Sequence, residues 1–193
     1  MNTSATGGYL QPTSTGPAQD ADLEDQIQAA IVGITGLAGS LVRPRWQQNP
    51  PKQPAINVNW CAFGITRQRS DNFNAVRHLG DGDGSDQSIT HETIELLVSF
   101  YGPAGQANAA AFKDGLQIPQ NMEVLQSQGM AFYEARDTIA APELISTQWM
   151  RRFDVPFTLR RQITRTYPVL NLLGAGGSIQ SETNSENWTA QER

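Results

Sequence analysis

The chain has 193 residues, with 14 Lys and Arg side chains against 19 Asp and Glu, which gives a formal net charge of −5. This length suits one domain with extensions, since domains typically span about 100–200 residues. The single cysteine, Cys61, excludes an internal disulfide framework and a multi-cysteine zinc site. No apolar run approaches the ~20 residues of a membrane span, and residues 1–19 lack the basic end and apolar centre of a signal peptide. We therefore expect neither a secreted nor a membrane protein, and the shortage of His and Lys disfavours an enzyme.

The negative charge lies mainly at the two ends of the chain. Residues 1–39 hold four acids and no base, residues 171–193 hold three acids and one base, and residues 40–170 hold thirteen bases and twelve acids. The nearly neutral central region lacks the clustered basic excess that is typical of a dedicated DNA or RNA reader. In an assembly of many copies, the like charges would add into one field.

The first part of the chain predicts a flexible arm, a helix and an extended segment. Residues 1–19 are rich in Thr, Ser, Gly and Pro, a composition typical of disorder. A helix is predicted to follow, capped by Asp20 or Asp22. Its apolar residues share one face at helical spacing, and they are Leu23, Ile27, Ile31 and Ile34. Four prolines between residues 42 and 54 require an extended conformation, because proline fixes φ and biases its predecessor away from helix.

The middle of the chain predicts two strands on either side of a polar loop. Residues 56–68 begin with alternating apolar and polar side chains, which favours a strand. Residues 71–87 are predicted to form the loop, and residues 88–101 a long second strand. Alternation places one set of that strand's side chains toward the core: Ile94, Leu96, Val98 and Phe100. The opposite set is predicted to face outward: Thr93, Glu95 and Ser99.

Two helices and two further strands are predicted after residue 101. Pro103 suits the first turn of an Ala-rich helix that ends at Gly115 and is anchored by Phe112 and Leu116. A shorter helix over residues 122–128 is predicted to end at a left-handed Gly129. Residues 130–137 and 148–166 read as strands. The core-facing side of the last strand comprises Phe153, Val155, Phe157, Leu159 and Ile163, while Pro156 predicts an edge or a bulge.

This order of elements predicts an α+β fold, with a mostly antiparallel four-stranded sheet and helices packed on one face. We assign residues 20–173 to this domain. Residues 1–19 are predicted to be a flexible N-terminal arm. Residues 174–193, rich in Gly, Ser, Asn and Glu, are predicted to be a flexible C-terminal arm.

Searches for catalytic and metal-binding motifs favour non-catalytic interpretations. One set of residues matches positions 1, 3, 5 and 12 of a calcium-binding loop, namely Asp81, Asp83, Ser85 and Glu92. However, Asp86 stands where that loop needs glycine, so a solvated turn is the favoured interpretation. His78 and His91 lack metal-ligand spacing, and Cys61 lies among apolar residues, as a buried structural thiol would. We expect no catalytic residue, cofactor or metal.

Arginine dominates the basic residues, and five arginines lie on the last predicted strand. Arginine offers a fixed fork of donors suited to carboxylates and is enriched at protein interfaces. Two interpretations remain open: a solvated face with local ion pairs, or contact with the acidic arm or helix of a neighbouring subunit. The candidate interface residues are Arg43, Arg45, Trp46, Arg151, Arg152, Arg160, Arg161 and Arg165.

Several stretches of the chain resemble the neck (tail) terminator family of tailed phages. The opening stretch is ITGLAGSLVRPRWQ…PP…QP…NVNWCAFGIT, followed by HETIELLVSFYGP, KDGLQIPQN and QWMRRFDVPFTLRRQITRTYPVLNLL. Together these stretches cover about residues 22–173, which leaves out the two arms. The resemblance is carried by their order rather than by any one of them.

The resemblance implies a structural virion protein with an α+β subunit that assembles as a hexameric ring. Such a ring caps the head-proximal end of the tail tube, stops tube polymerisation and joins the tail to the neck. The implied partners are further copies of the chain, the tail tube protein, a stopper or adaptor protein of the neck, and the sheath of a contractile tail. DNA would pass through the lumen without sequence-specific binding.

Two alternatives stay open at this point. One is another neck component, such as a stopper or tube-end adaptor with the same kind of body. The other, from a different class, is a calcium-binding or hydrolytic protein that uses Asp81, Asp83 and Glu92.

Overall fold

The computed structural model describes residues 1–145, 147–181 and 184–191. Its helices are α1 (Asp20–Thr35), α2 (Gly105–Gly115) and α3 (Pro119–Ser127), with one 3₁₀ turn at Gly39–Leu41. Its strands are β1 (Val42–Pro44), β2 (Trp60–Ser70), β3 (Ala75–Leu79), β4 (Ser85–Tyr101), β5 (Met130–Ala135), β6 (Ile139–Ala140), β7 (Glu143–Ile145), β8 (Gln148–Met150), β9 (Arg152–Tyr167), β10 (Gly174–Gln180) and β11 (Ser185–Gln191). The mixed α+β class is as predicted.

The main sheet has seven strands rather than the predicted four. Five run in the order β1-β2-β4-β9-β5, while β3 pairs with β4 and β6 pairs with β9. The β1–β2 pair is parallel, and the registers of β2–β4, β3–β4, β5–β9 and β6–β9 are antiparallel. The extra strands are short or polar, so hydrophobic alternation did not reveal them. Two small hairpins, β7–β8 and β10–β11, lie outside this sheet.

Contacts divide the chain into two compact units. The larger unit comprises Gly16–Phe73 and Thr90–Ile163, and the smaller unit comprises Met1–Thr15, Asn74–Ile89 and Thr164–Arg193. The division follows three-dimensional contacts, whereas the predicted boundaries followed composition.

The three helices of the larger unit share one hydrophobic core with the sheet. Helix α1 contributes its predicted stripe, with Leu23, Ile27 and Ile31 buried. The inward set of β4 is buried as predicted, and so are Phe112 and Leu116. Phe112 contacts two other rings, at centroid distances of 5.6 Å from Phe100 and 5.4 Å from Phe157. Such aromatic pairs add about 0.5–1.5 kcal/mol each beyond the area that they bury.

Several predicted boundaries differ from the observed ones. Strand β2 begins at Trp60 rather than at residue 56, because residues 56–58 form a turn. The N-cap of α1 is Gln19, without a side-chain cap, instead of Asp20 or Asp22. The predicted last strand is interrupted at Arg151 into β8 and β9. Gly129 has φ +78°, the predicted left-handed conformation.

Pro156 lies between two edge partners of β9. Residues Phe153 and Asp154 pair with β6, and the segment from Phe157 to Arg161 pairs with β5. The carbonyl of Pro156 accepts a hydrogen bond from the Arg136 N–H at 2.9 Å. The register shift of the β5–β9 pair lies in β5, between Phe132 and Glu134. The proline thus occupies a change of partner, where its missing N–H is tolerated.

The smaller unit holds residues 1–15 of the predicted N-terminal arm, the described part of the predicted C-terminal arm, and β3 with the first residues of β4. Residues 1–15 form no helix or strand, but Ser4 and Thr13 donate backbone hydrogen bonds to Pro168 and Thr166 at 3.1 and 2.8 Å. The C-terminal residues form the β10–β11 hairpin. The mobility of both arms stays a prediction.

Candidate interface site

Trp60 and Tyr101 form a second, small core on the face of the sheet opposite the helices. They stand opposite each other on β2 and β4, and their rings stack at 4.1 Å with 7° between the planes. Ala62 and Met150 complete the buried cluster. This cluster therefore covers part of the second face of the sheet, where Ser99 is buried although it was predicted to point outward, while Thr93 and Glu95 stay partly exposed.

Arg152 is held by two carboxylates beside this small core. Its Nε and Nη2 donate to the two oxygens of Asp154 at 2.7 and 2.9 Å, and its Nη1 donates to Glu143. Its guanidinium also lies 5.7 Å from the ring centroid of Tyr101. The hydrogen bonds to Asp154 are the main cause of a raised pKa of Arg152. The hydrogen bond to Glu143 raises this pKa further, while burial lowers it. The charge of Arg152 is thus used within the subunit.

Arg45 extends the same network from the β1 side. Its Nη2 donates to the hydroxyl of Ser99, which in turn donates to Asp154. Ser99 is fully buried, although the alternation of β4 had placed it outward. The i and i+2 spacing of Arg152 and Asp154 on one strand face was the sequence signal for this network.

Arg43 and Trp46 border an open cleft of about 410 Å³ in the larger unit. Arg43 donates to the carbonyls of Ser40 and Lys52 at 3.0 and 2.8 Å, so it has no carboxylate partner among the described residues. Trp46, at φ +58°, lies over Gly64, where a Cβ would be 2.6 Å from the indole Cζ3. The glycine permits this close approach, and 72% of Trp46 remains exposed.

Arg161 lies on the helix side of the sheet and is only 5% exposed. Its Nε donates to Glu92 at 2.6 Å, and its Nη1 donates to the carbonyl of Ala18 at 2.6 Å. This contact joins β9, β4 and the segment that leads into α1. Arg161, a candidate interface residue in the sequence analysis, therefore has an internal, structural role.

The other candidate arginines differ in exposure. Arg151 and Arg160 are exposed, and Arg160 lies 5.6 Å from the ring centroid of Tyr133. Arg165 is half-buried and belongs to the smaller unit. Of the eight candidates, Trp46, Arg151 and Arg160 offer their side chains most freely to a partner.

The structure gives the calcium-like motif other roles. Asp81–Gly84 is the turn between β3 and β4, with positive φ at Gly82 and Gly84. Glu92 is committed to Arg161. Within residues 1–145, 147–181 and 184–191, no group of three or more His, Cys, Asp or Glu side chains is arranged to hold a metal ion. Cys61 is buried as predicted, and this burial raises the pKa of its thiol.

His78 joins two segments of the smaller unit. Its Nδ1 lies 2.7 Å from Asp86 Oδ1, and its Nε2 lies 2.9 Å from Asn171 Oδ1. The Asn171 amide nitrogen donates to the carbonyls of Gly80 and Gly82, so its oxygen must face the histidine. Two acceptors require two N–H donors, which only the protonated imidazole supplies. These hydrogen bonds, that of Asp86 first, raise the pKa of His78.

We expect His78 to titrate above its ordinary pKa of about 6.5 and Asp86→Asn to lower the midpoint. Because the folded-state pKa is raised, the contact stabilises fully below about pH 6.5 and is lost as pH rises through the raised value. NMR of the imidazole carbon-bound protons gives the midpoint directly. Asp81→Asn, in the turn that precedes β4, is the control and should leave the midpoint unchanged. Equal shifts in both variants would contradict the assignment.

Across the described part of the chain, no helix is long and apolar enough to cross a membrane. No curated protein matches the sequence. The family model described as phage neck terminator protein matches residues 21–184, which include α2, α3, every strand of the main sheet and all but the first residue of α1. This match confirms the resemblance and supports a structural role in the neck of a virion. With most of its length covered, the chain belongs to the phage neck terminator protein family.

Proposed function

We propose that six copies of the chain form a ring on the head-proximal end of the tail tube. The ring ends tube polymerisation and joins the tail to the stopper or adaptor protein of the neck, and to the sheath where the tail is contractile. The observation that carries this proposal is the family match over residues 21–184. No catalytic step is required of the chain in this role.

The sheet of the larger unit is suited to ring closure because its two edges differ. The three-residue β1 forms one edge, and β5 with β6 forms the other. A closed ring needs heterologous interfaces, in which one surface of a subunit meets a different surface of the next. Unlike edges meet this need, whereas a two-fold dimer would use one surface twice.

Charge favours the exposed Arg160 as one contact of the ring interface. Its complementary surface is the start of α1 in the adjacent copy, where Asp20 and Asp25 lie beside Glu24. Arg151, about 30 Å away along the extended strand, would make a separate contact. Burial, and then repulsion by Asp25 and Asp20, raises the pKa of Glu24. A cation from a neighbour would relieve this repulsion and hold the charged form. Arg152 and Arg161 are paired inside the subunit, so they would affect the interface only indirectly, by stabilising the sheet.

Acids that line the lumen of the ring would keep DNA from binding to its wall. Six copies at −5 each carry about −30, and the part of this charge that faces the lumen would repel a phosphate backbone. DNA would then pass without sequence-specific binding.

The test is tube assembly with the tube protein of the same virus. Substoichiometric amounts of the chain should shorten the tubes and leave a ring at one end in negative-stain images. Mass photometry should detect a species of six copies. Tubes of unchanged length, with binding only to a head-completion protein, would overturn termination and favour a stopper or adaptor.

A further inference from the structure

The β10–β11 hairpin has one apolar face and one polar face. Residues that stand directly opposite in an antiparallel pair point to the same side, and successive residues alternate. The register therefore places these residues on the apolar face: Ala175, Gly177, Ile179, Glu186, Trp188 and Ala190. The polar face comprises Gly174, Gly176, Ser178, Gln180, Ser185, Asn187, Thr189 and Gln191.

The apolar face carries one tryptophan, and its residues are exposed in the single chain. The Trp188 indole lies over Gly177, where a Cβ would be 2.9 Å from its Nε1. Even so, Trp188 is 47% exposed and Ile179 is 65% exposed. A lone two-stranded hairpin is marginally stable in water. A covered apolar face would stabilise it.

A second copy of the chain carries a surface that complements this face. The Trp46 cleft, defined by Arg43, Arg45, Trp46, Pro50, Pro51 and Trp60, is wide and largely apolar. Two arginines and one acid, Glu143, are the charged residues that line it, so the lining carries a net positive charge. The hairpin face carries one acid, Glu186, and no base. Arg43 has no carboxylate partner among the described residues, so Glu186 can supply one.

We propose that the apolar face of the β10–β11 hairpin docks into the Trp46 cleft of the adjacent copy, with Glu186 paired to Arg43. This inference rests on the proposed ring and names one contact between its subunits. Each copy gives one hairpin and receives one, as a heterologous closed interface requires.

Cross-linking between two single-cysteine variants tests the contact. Pro51→Cys lines the cleft and Ala190→Cys lies on the apolar face, and both positions are exposed. Cys61 is buried with a raised thiol pKa, so the unmodified chain should stay unlinked. A short bis-maleimide should join the two variants into a covalent dimer when they are mixed. The matched control, Thr189→Cys on the polar face, should link to Pro51→Cys several-fold less.

Each outcome bears on the proposal. Equal linking of Ala190→Cys and Thr189→Cys overturns the assigned face. In a further variant that carries both Pro51→Cys and Ala190→Cys, linking within the chain alone would show that the hairpin covers its own copy and would overturn the contact. Rings without any linking overturn this contact but leave the ring, whereas absence of rings overturns both. As a second readout, Trp188→Ala should weaken ring assembly about tenfold or more, as expected for a central interface tryptophan.

Discussion

Replacing Arg161 by methionine is expected to lower the free energy of unfolding by about 3–5 kcal/mol, the typical cost of breaking a buried ion pair. Glu92 would lose its partner at 2.6 Å and remain as an uncompensated buried carboxylate. The carbonyl of Ala18 would lose its donor as well. Urea denaturation followed by circular dichroism measures the loss, with the slope expected to stay unchanged.

The double variant Arg161→Met with Glu92→Leu separates the ion pair from general packing. Removing both charges should recover most of the loss, because apolar replacement of a buried pair is often neutral. Arg160→Met, at the adjacent exposed position, is the matched control and should change stability by less than about 0.5 kcal/mol. A double variant as unstable as the single one would contradict this account of Arg161.

Reversing the charge of Arg160 is expected to disrupt ring assembly while leaving the subunit folded. Arg160 is exposed, and its one described ring contact is with Tyr133. Arg160→Glu would face the acidic start of α1 in the adjacent copy, and like charges opposed at an interface cost several kcal/mol. Assembly should therefore weaken by about tenfold or more, while the subunit's stability changes by less than about 0.5 kcal/mol.

Mass photometry across a concentration series measures assembly, and thermal unfolding measures the subunit. Arg69→Glu is the matched control, since Arg69 is an exposed arginine of the larger unit outside the candidate set. It carries the same change of charge and should leave the rings intact. Equal losses of assembly and stability in Arg160→Glu would favour the alternative of a solvated face with local ion pairs.

The predicted elements that proved correct depend on local patterns. The stripe of α1, the inward residues of β4, and Gly129 after α3 each follow from spacing or backbone preference within a few residues. The burial of Cys61 follows likewise from its apolar neighbours. The residues that form each of these features are close together in the sequence, so a local pattern was enough to predict them.

The elements that the sequence did not reveal depend on distant pairing. β3 has only five residues, most of them exposed, and it forms a strand through its pairing with the first part of β4. β1 has three residues, and its parallel pairing with β2 follows a connection without any strand signal. β1 and β3 are strands because they pair with β2 and β4, and their own residues show no alternation of apolar and polar side chains that would predict a strand.

The candidate site divides in the same way. Arginine content and strand position identified the residues, and exposed Trp46, Arg151 and Arg160 remain available to a partner. The sequence could not separate Arg161 from these residues, because its partners Glu92 and Ala18 lie far along the chain. For Arg152 the local spacing to Asp154 was a signal, but the buried network that it joins includes Ser99 on a distant strand.

The composition of the chain indicates an acidic protein that is poor in His, Lys and Cys, with the excess of acids over bases near the two ends of the chain. By itself, the sequence determined the α+β class, the main core stripes and the family. The tertiary structure alone decided which arginines are internal, that part of the second face of the sheet is covered as well, and that the C-terminal segment forms a two-faced hairpin. The physical reason is that burial and pairing are properties of contacts between segments, which only folding brings together.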